Sequence, residues 1–185
     1  MKTYVLVYEG FVQFEVVLTN CFMQSVSDII TVGIDKETVI SHEGFKTVPH
    51  ITLDEVNIDD VDLFVIPGGE PEQLFGVDGL YNLIRNLDKE GKVIGGICAS
   101  PIHLAKAGVL ENREFTTTLP VEEFNVFDGC NYVDDDLVII DDNIITAKAR
   151  GYVDFALEIG RVMNIYKDEA DYKETINYFK YYKIK

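Results

Sequence analysis

The sequence is short of cysteine, of basic residues and of long apolar runs, and each shortage closes off a class of protein. Its three cysteines, Cys21, Cys98 and Cys130, are odd in number, far apart and without CxxC spacing. A disulfide scaffold and a structural zinc site are therefore not expected, nor is any metal or cofactor, and a reducing, cytoplasmic setting is. Lys and Arg total 16 against 32 Asp and Glu, a net charge of −16. So acidic a chain repels phosphate backbones and anionic lipid, which argues against nucleic acid and membrane as partners. No apolar stretch approaches the length of a membrane span, and the opening MKTYVLVYEG has neither the long apolar region nor the cleavage site of a signal peptide. No repeat, low-complexity tract or linker composition divides the chain, so residues 1–185 are expected to form one domain.

What is present is an alternation of strand and helix patterns. Tyr4–Tyr8 reads as a strand broken by Glu9-Gly10. Phe14, Val17, Leu18 and Cys21 then recur at helical spacing, which places Cys21 in the core and leaves Glu15 off the stripe, as a surface acid complementing the helix dipole. Asp28–Ile34 is a second strand. Thr38–Ser41 and Phe45–Val48 read as a small protruding hairpin with His42 and His50 exposed at its ends. Asp62–Ile66 is a buried strand that ends in Pro67-Gly68-Gly69, a tight turn whose amides can face a ligand. No Gly-Lys-Ser/Thr follows, so it is not a Walker loop. Leu80, Leu83, Ile84 and Leu87 mark a helix with Asp78 as its cap and Gly91 as its stop.

Farther on, Phe115–Thr118 reads as a strand, and Leu137–Ile140 and Ile144–Ala147 flank an Asp141-Asp142-Asn143 turn. The aspartates from Asp134 to Asp142 do not make an EF-hand, because Ile139 stands where its glycine is required. Phe155, Ile159, Val162 and Met163 give another helix. Residues 168–185, rich in Tyr and Lys, form a helical extension that Ile176, Phe179 and Tyr182 would dock on the body or on another subunit.

The stretch that organises the rest is KVIGGICASPIHLAKAGVL, Lys92–Leu110. Val93, Ile94 and Ile97 form a short apolar run suited to a strand buried on both faces. Ser100-Pro101 opens a helix that closes at Ala107-Gly108. Cys98 sits at the joint, in a pattern like the G-x-S-x-G nucleophile elbow with Cys for Ser. A thiol there meets backbone N–H groups and the positive end of a helix, both favouring thiolate. The alternative for such a cysteine is a small apolar residue in the core. The alternation predicts an α/β fold: a doubly wound, mainly parallel sheet with helices on both faces. In such sheets the cleft lies beyond the carboxyl ends of the strands, where Glu9–Phe11, Pro67–Gly69 and Cys98 all fall.

Taken together, YVLVYEGF..FE at Tyr4–Glu15, FVIPGG at Phe64–Gly69, GGICASP at Gly95–Pro101, FTTTLP at Phe115–Pro120 and IITAKARGYVDFALEI at Ile144–Ile159 resemble the ThiJ/PfpI family, of the class I glutamine amidotransferase-like superfamily. The resemblance implies a flavodoxin-like fold and a homodimer. It also implies Cys98 as the nucleophile, Glu15 as an acid holding a proton against the sulfur, and the backbone N–H groups of Gly69 and Ala99 as an oxyanion site. Hydrolase-like members carry His directly after the nucleophile or near the end of the FTTTLP strand; here those places hold Ala99 and Thr118-Leu119. His103 lies five residues into the same helix as Cys98 and should point away, as a surface or hydrogen-bonded core residue. Peptidase and amidotransferase chemistry are therefore disfavoured, for want of a base to serve the leaving amine. Three readings stay open: a small-molecule enzyme of glyoxalase, deglycase or isocyanide-hydratase type, a redox sensor in which Cys98 becomes a sulfinate, and a non-catalytic, chaperone-like dimer.

Overall fold

Strand residues alternate between two apolar layers, and that alternation builds the sheet on which everything else is placed. In a computed structural model, which describes residues 1–183, Tyr4 and Leu6 of β1 (Lys2–Leu6) face one layer and Val5 the other. The chain then forms α1 (Phe14–Met23), β2 (Asp28–Gly33), a two-stranded hairpin of β3 (Val39–Ile40) and β4 (Lys46–Thr47), and β5 (Ile51–Thr52). It returns through β6 (Leu63–Ile66), α2 (Asp78–Lys89), β7 (Val93–Ile97) and the short α3 (Pro101–Lys106). A small parallel pair, β8 (Glu114–Phe115) and β9 (Asn131–Tyr132), precedes β10 (Val138–Asp141) and β11 (Ile144–Ala147). Two helices, α4 (Tyr152–Val162) and α5 (Glu169–Phe179), end the described chain.

The main sheet has the order β10-β11-β7-β6-β1-β2-β5, and every pairing in it is parallel except β10 with β11. This is the expected doubly wound, mostly parallel architecture. From β1 the chain moves outward to β2 and β5, then crosses back to β6, so the strand order reverses between β1 and β6. Leu80, Leu83, Ile84 and Leu87 of α2 join Ile102 and Leu104 of α3 in one layer. Val16 and Met23 of α1 join Phe155 and Ile159 of α4 in the other. Outside α4, Ile176 and Phe179 of α5 pack against Phe22, Ala156 and Leu157. No helix among the described residues is long and apolar enough to cross a membrane.

Several local expectations need correction. On α1 the buried residues are Glu15, Val16, Thr19, Phe22 and Met23, while Phe14, Val17 and Cys21 face outward. Cys21 is thus not core, and Glu15 is not a surface acid. Both residue sets have helical spacing; the inner one wins because Glu15 has partners inside and because Phe14 rests edge-on against Tyr152 at the surface. Asp78 is the first helical residue of α2, and its cap position, Val77, makes no side-chain bond. The expected strand at Phe115–Thr118 stops at Phe115, since Thr116–Thr118 turn their bonds toward neighbouring segments. Tyr182 is 85% exposed and not packed on the body among the described residues, and the last two residues of the 168–185 extension lie outside those described.

Candidate active site

β7 delivers the chain to Cys98, whose φ of 65° lies in the left-handed region that non-glycine residues seldom occupy. Such a conformation costs on the order of 1–3 kcal/mol and persists only where its surroundings hold it. Here they do. The Cys98 N–H donates to Ala147 O at 2.8 Å, and its carbonyl accepts from the Thr118 N–H at 3.0 Å and the Thr117 hydroxyl at 2.7 Å. Ser100 Oγ lies 2.8 Å from both Ile66 O and Ile97 O, tying the start of α3 to the ends of β6 and β7.

Glu15 is 1% exposed and reaches the sulfur from the first turn of α1. Its Oε2 accepts from the Gly68 N–H at 2.8 Å. Gly68 also supplies space: a Cβ there would stand 2.6 Å from Glu15 Oε2, 2.6 Å from Cys98 Cβ and 2.9 Å from Cys98 Sγ. The next residue, Gly69, has a φ of 141°, and its N–H donates to no protein acceptor among the described residues. Beneath the turn, the buried Tyr8 hydroxyl donates to Gly68 O at 2.9 Å, and burial pushes its phenol above the ordinary range. Sequence reasoning passed over Tyr8; its signal was only its place at the end of the first strand, facing the glycine turn.

Burial raises the Glu15 carboxyl, against the lowering effect of its bonds to Cys98 and Gly68. Burial, followed by the charge of an ionised Glu15, pushes the Cys98 thiol up to about 12, whereas a Glu15 that keeps its proton donates to the sulfur and favours thiolate. Burial therefore works against the thiolate that the elbow was expected to favour. The groups that work for it are the Thr118 hydroxyl and the Ala99 N–H, which both lower the thiol. Two buried acids joined by a hydrogen bond do not ionise together, so the pair keeps a shared proton and carries at most one charge.

Thr118, in the FTTTLP segment, also faces the sulfur. Its Oγ accepts from the Ala149 N–H at 2.9 Å, leaving its own hydrogen for the sulfur. His103 is neither exposed nor hydrogen-bonded, contrary to expectation. It is fully buried, packs on Phe75 and Tyr81 with ring centroids 6.1 and 6.2 Å away, and neither ring nitrogen has a partner. Burial, followed by Lys106, brings it down to about 4. His42 and His50 are exposed, as expected. Beside the site, Thr117, Thr118, Tyr132, Lys148 and Arg150 line a cavity of about 680 Å³. Lys148 in its wall is paired with Asp134. No cluster of three His, Cys, Asp or Glu that could hold a metal ion occurs among the described residues.

Three comparisons bear on this arrangement. The glutathione-independent glyoxalase DJR-1.2 of Caenorhabditis elegans is 31% identical over 150 residues, 80% of this chain and 80% of that protein. The uncharacterized protease YoaZ of Bacillus subtilis is 26% identical over 149 residues, 77% of this chain and 69% of that one. In fold, the crystal structure of the DJ-1 superfamily protein Atu0886 from Agrobacterium tumefaciens superposes with a TM-score of 0.85 at 24% identity, covering 98% of this chain and 100% of that one. The profile of the DJ-1/PfpI family matches residues 1–161, and the chain belongs to that family.

Proposed function

We propose that the protein is a cysteine-dependent enzyme acting on a small carbonyl compound, of glyoxalase or deglycase type. The observation that supports it best is the buried Glu15 carboxyl set against the Cys98 sulfur, where burial disfavours its charge. With a 2-oxoaldehyde, the sulfur adds to the aldehyde carbon and the Gly69 and Ala99 N–H groups stabilise the oxygen, an effect of roughly 3 kcal/mol per donor in acyl-transfer sites. Glu15 protonates that oxygen, then as carboxylate takes the hydrogen from the first carbon and returns it to the second, while the hydroxyl proton on the first oxygen passes to the second oxygen. The thioester so formed is hydrolysed to a 2-hydroxy acid, a net addition of one water. Each transfer needs one carboxyl and no histidine.

The test is 2-hydroxy acid formation from methylglyoxal by the parent chain and by Cys98→Ser and Glu15→Gln. Turnover in the parent, lost in both variants, is expected; a parent no faster than buffer overturns the reading. A gain of two oxygens on Cys98 with mild peroxide, without any turnover, favours redox sensing instead. We also propose a two-fold dimer, supported by the exposed Phe14 and Val17 of α1 and Phe45 and Val48 of the hairpin.

A further inference from the structure

The first turn of any helix leaves backbone N–H groups without intrahelical partners. At α1 the cap residue, Gln13, supplies no side-chain bond, and its Oε1 is itself buried without a partner. The acceptors come from elsewhere. Glu43, at the tip of the β3–β4 hairpin, takes the Phe14 N–H at 2.9 Å on Oε1 and the Gln13 N–H at 3.1 Å on Oε2. The hairpin is stitched to the same segment by three more bonds: His42 N to Phe11 O at 2.8 Å, Gly10 N to Ile40 O at 2.8 Å, and Ile40 N to Glu9 Oε2 at 2.9 Å. That segment reaches the glycine turn through Val12 N to Gly68 O at 2.9 Å. The hairpin forms its own small sheet, as expected, yet its tip is seated on the run that leads directly into Glu15.

We propose that Glu43 is a positioning residue for the acid: by capping α1 from the hairpin it fixes the turn that holds the Glu15 carboxyl against the Cys98 sulfur. The inference deepens the reading of Glu15 given above and rests on it. The groups facing Glu15 are Cys98, Tyr8, Glu43 and His42. Among these the Glu43 charge favours a protonated Glu15 and the His42 charge opposes it. Burial disfavours the charge on Glu43, but the Phe14 and Gln13 N–H groups outweigh it and hold that carboxyl below the ordinary range. The surroundings thus favour the charged form of Glu43 and the neutral form of Glu15. Loss of Glu43 lets α1 fray at its start and makes Glu15 easier to ionise. Both changes weaken the bond to the sulfur.

The experiment follows iodoacetamide labelling of Cys98 in the full chain against pH, with adducts mapped by peptide, in the parent, Glu43→Ala, Glu43→Gln and Glu15→Leu. Glu43→Ala is expected to slow Cys98 labelling at pH 7 by about tenfold, one unit of thiolate population, and to move its midpoint upward. Glu43→Gln keeps an oxygen to accept the cap and should recover most of the rate, while labelling of the distant Cys130 stays constant as a check on the fold. A Glu43→Ala profile identical to the parent, or a Glu43→Gln as slow as Glu43→Ala, overturns the proposal and leaves the acid–sulfur pair standing if Glu15→Leu still shifts the profile. An unchanged Glu15→Leu overturns both.

Discussion

Glu15 and His103 are both removed from solvent, at 1% and 0% exposure, on helices that flank opposite faces of one sheet. Burial drives each toward its neutral form, the carboxyl upward and the imidazole downward. Their surroundings then separate them. Glu15 accepts from Gly68 and meets Cys98, so a proton that it keeps has a sulfur to donate to. His103 has aromatic rings around it and no acceptor or donor for either nitrogen. A buried ionisable group becomes an instrument only when the neutral form it is forced into has something to donate to.

That contrast can be broken first at His103. Its folded value of about 4 lies below the ordinary 6.5, so the unfolded chain takes up the proton first as pH falls. The His103 contribution to stability is complete above pH 6.5 and is lost as pH drops toward 4. The full shift is worth about 3 kcal/mol. In urea titrations the stability of His103→Leu relative to the parent should grow by that amount between pH 7 and pH 4, with Cys98 labelling at pH 7 unchanged. A constant difference across that range would show that His103 is solvated or partnered.

The smaller effect sharpens the same contrast from the other side. Glu15→Leu keeps the volume buried and removes the proton, and it should slow Cys98 alkylation at pH 7 by about tenfold, roughly 1.4 kcal/mol. His103→Leu, equally buried and equally apolar, should leave that rate where it was. Equal slowing by both would mean that packing, not the carboxyl, sets the reactivity of the sulfur.

The elbow was legible in the sequence because its signals are local: an apolar run, Gly95-Gly96, then Cys98 and Pro101. The inner face of α1 was not. Phe14, Val17, Leu18 and Cys21 have the same period as Glu15, Thr19, Phe22 and Met23, and periodicity cannot choose between them. The choice came from partners distant in the chain, Gly68 and Cys98. The resemblance to a known family had pointed to Glu15 while its spacing alone pointed to the surface. That Ala99 and Thr118-Leu119 hold no histidine was readable, whereas the bond from Ala149 N–H to Thr118, 31 residues apart, was not. Glu43 lies 29 residues from the Phe14 N–H that it caps, beyond the reach of any local pattern.

The account turns on Glu15 holding its proton near neutral pH. A ¹³C-detected titration of the Glu15 carboxyl, assigned by its loss in Glu15→Gln, measures that proton directly. The account predicts that Glu15 titrates above the ordinary glutamate value of 4.5, because burial disfavours its charge. A carboxyl that titrates at or below 4.5 in the parent would show a charged Glu15 beside the sulfur and would contradict it.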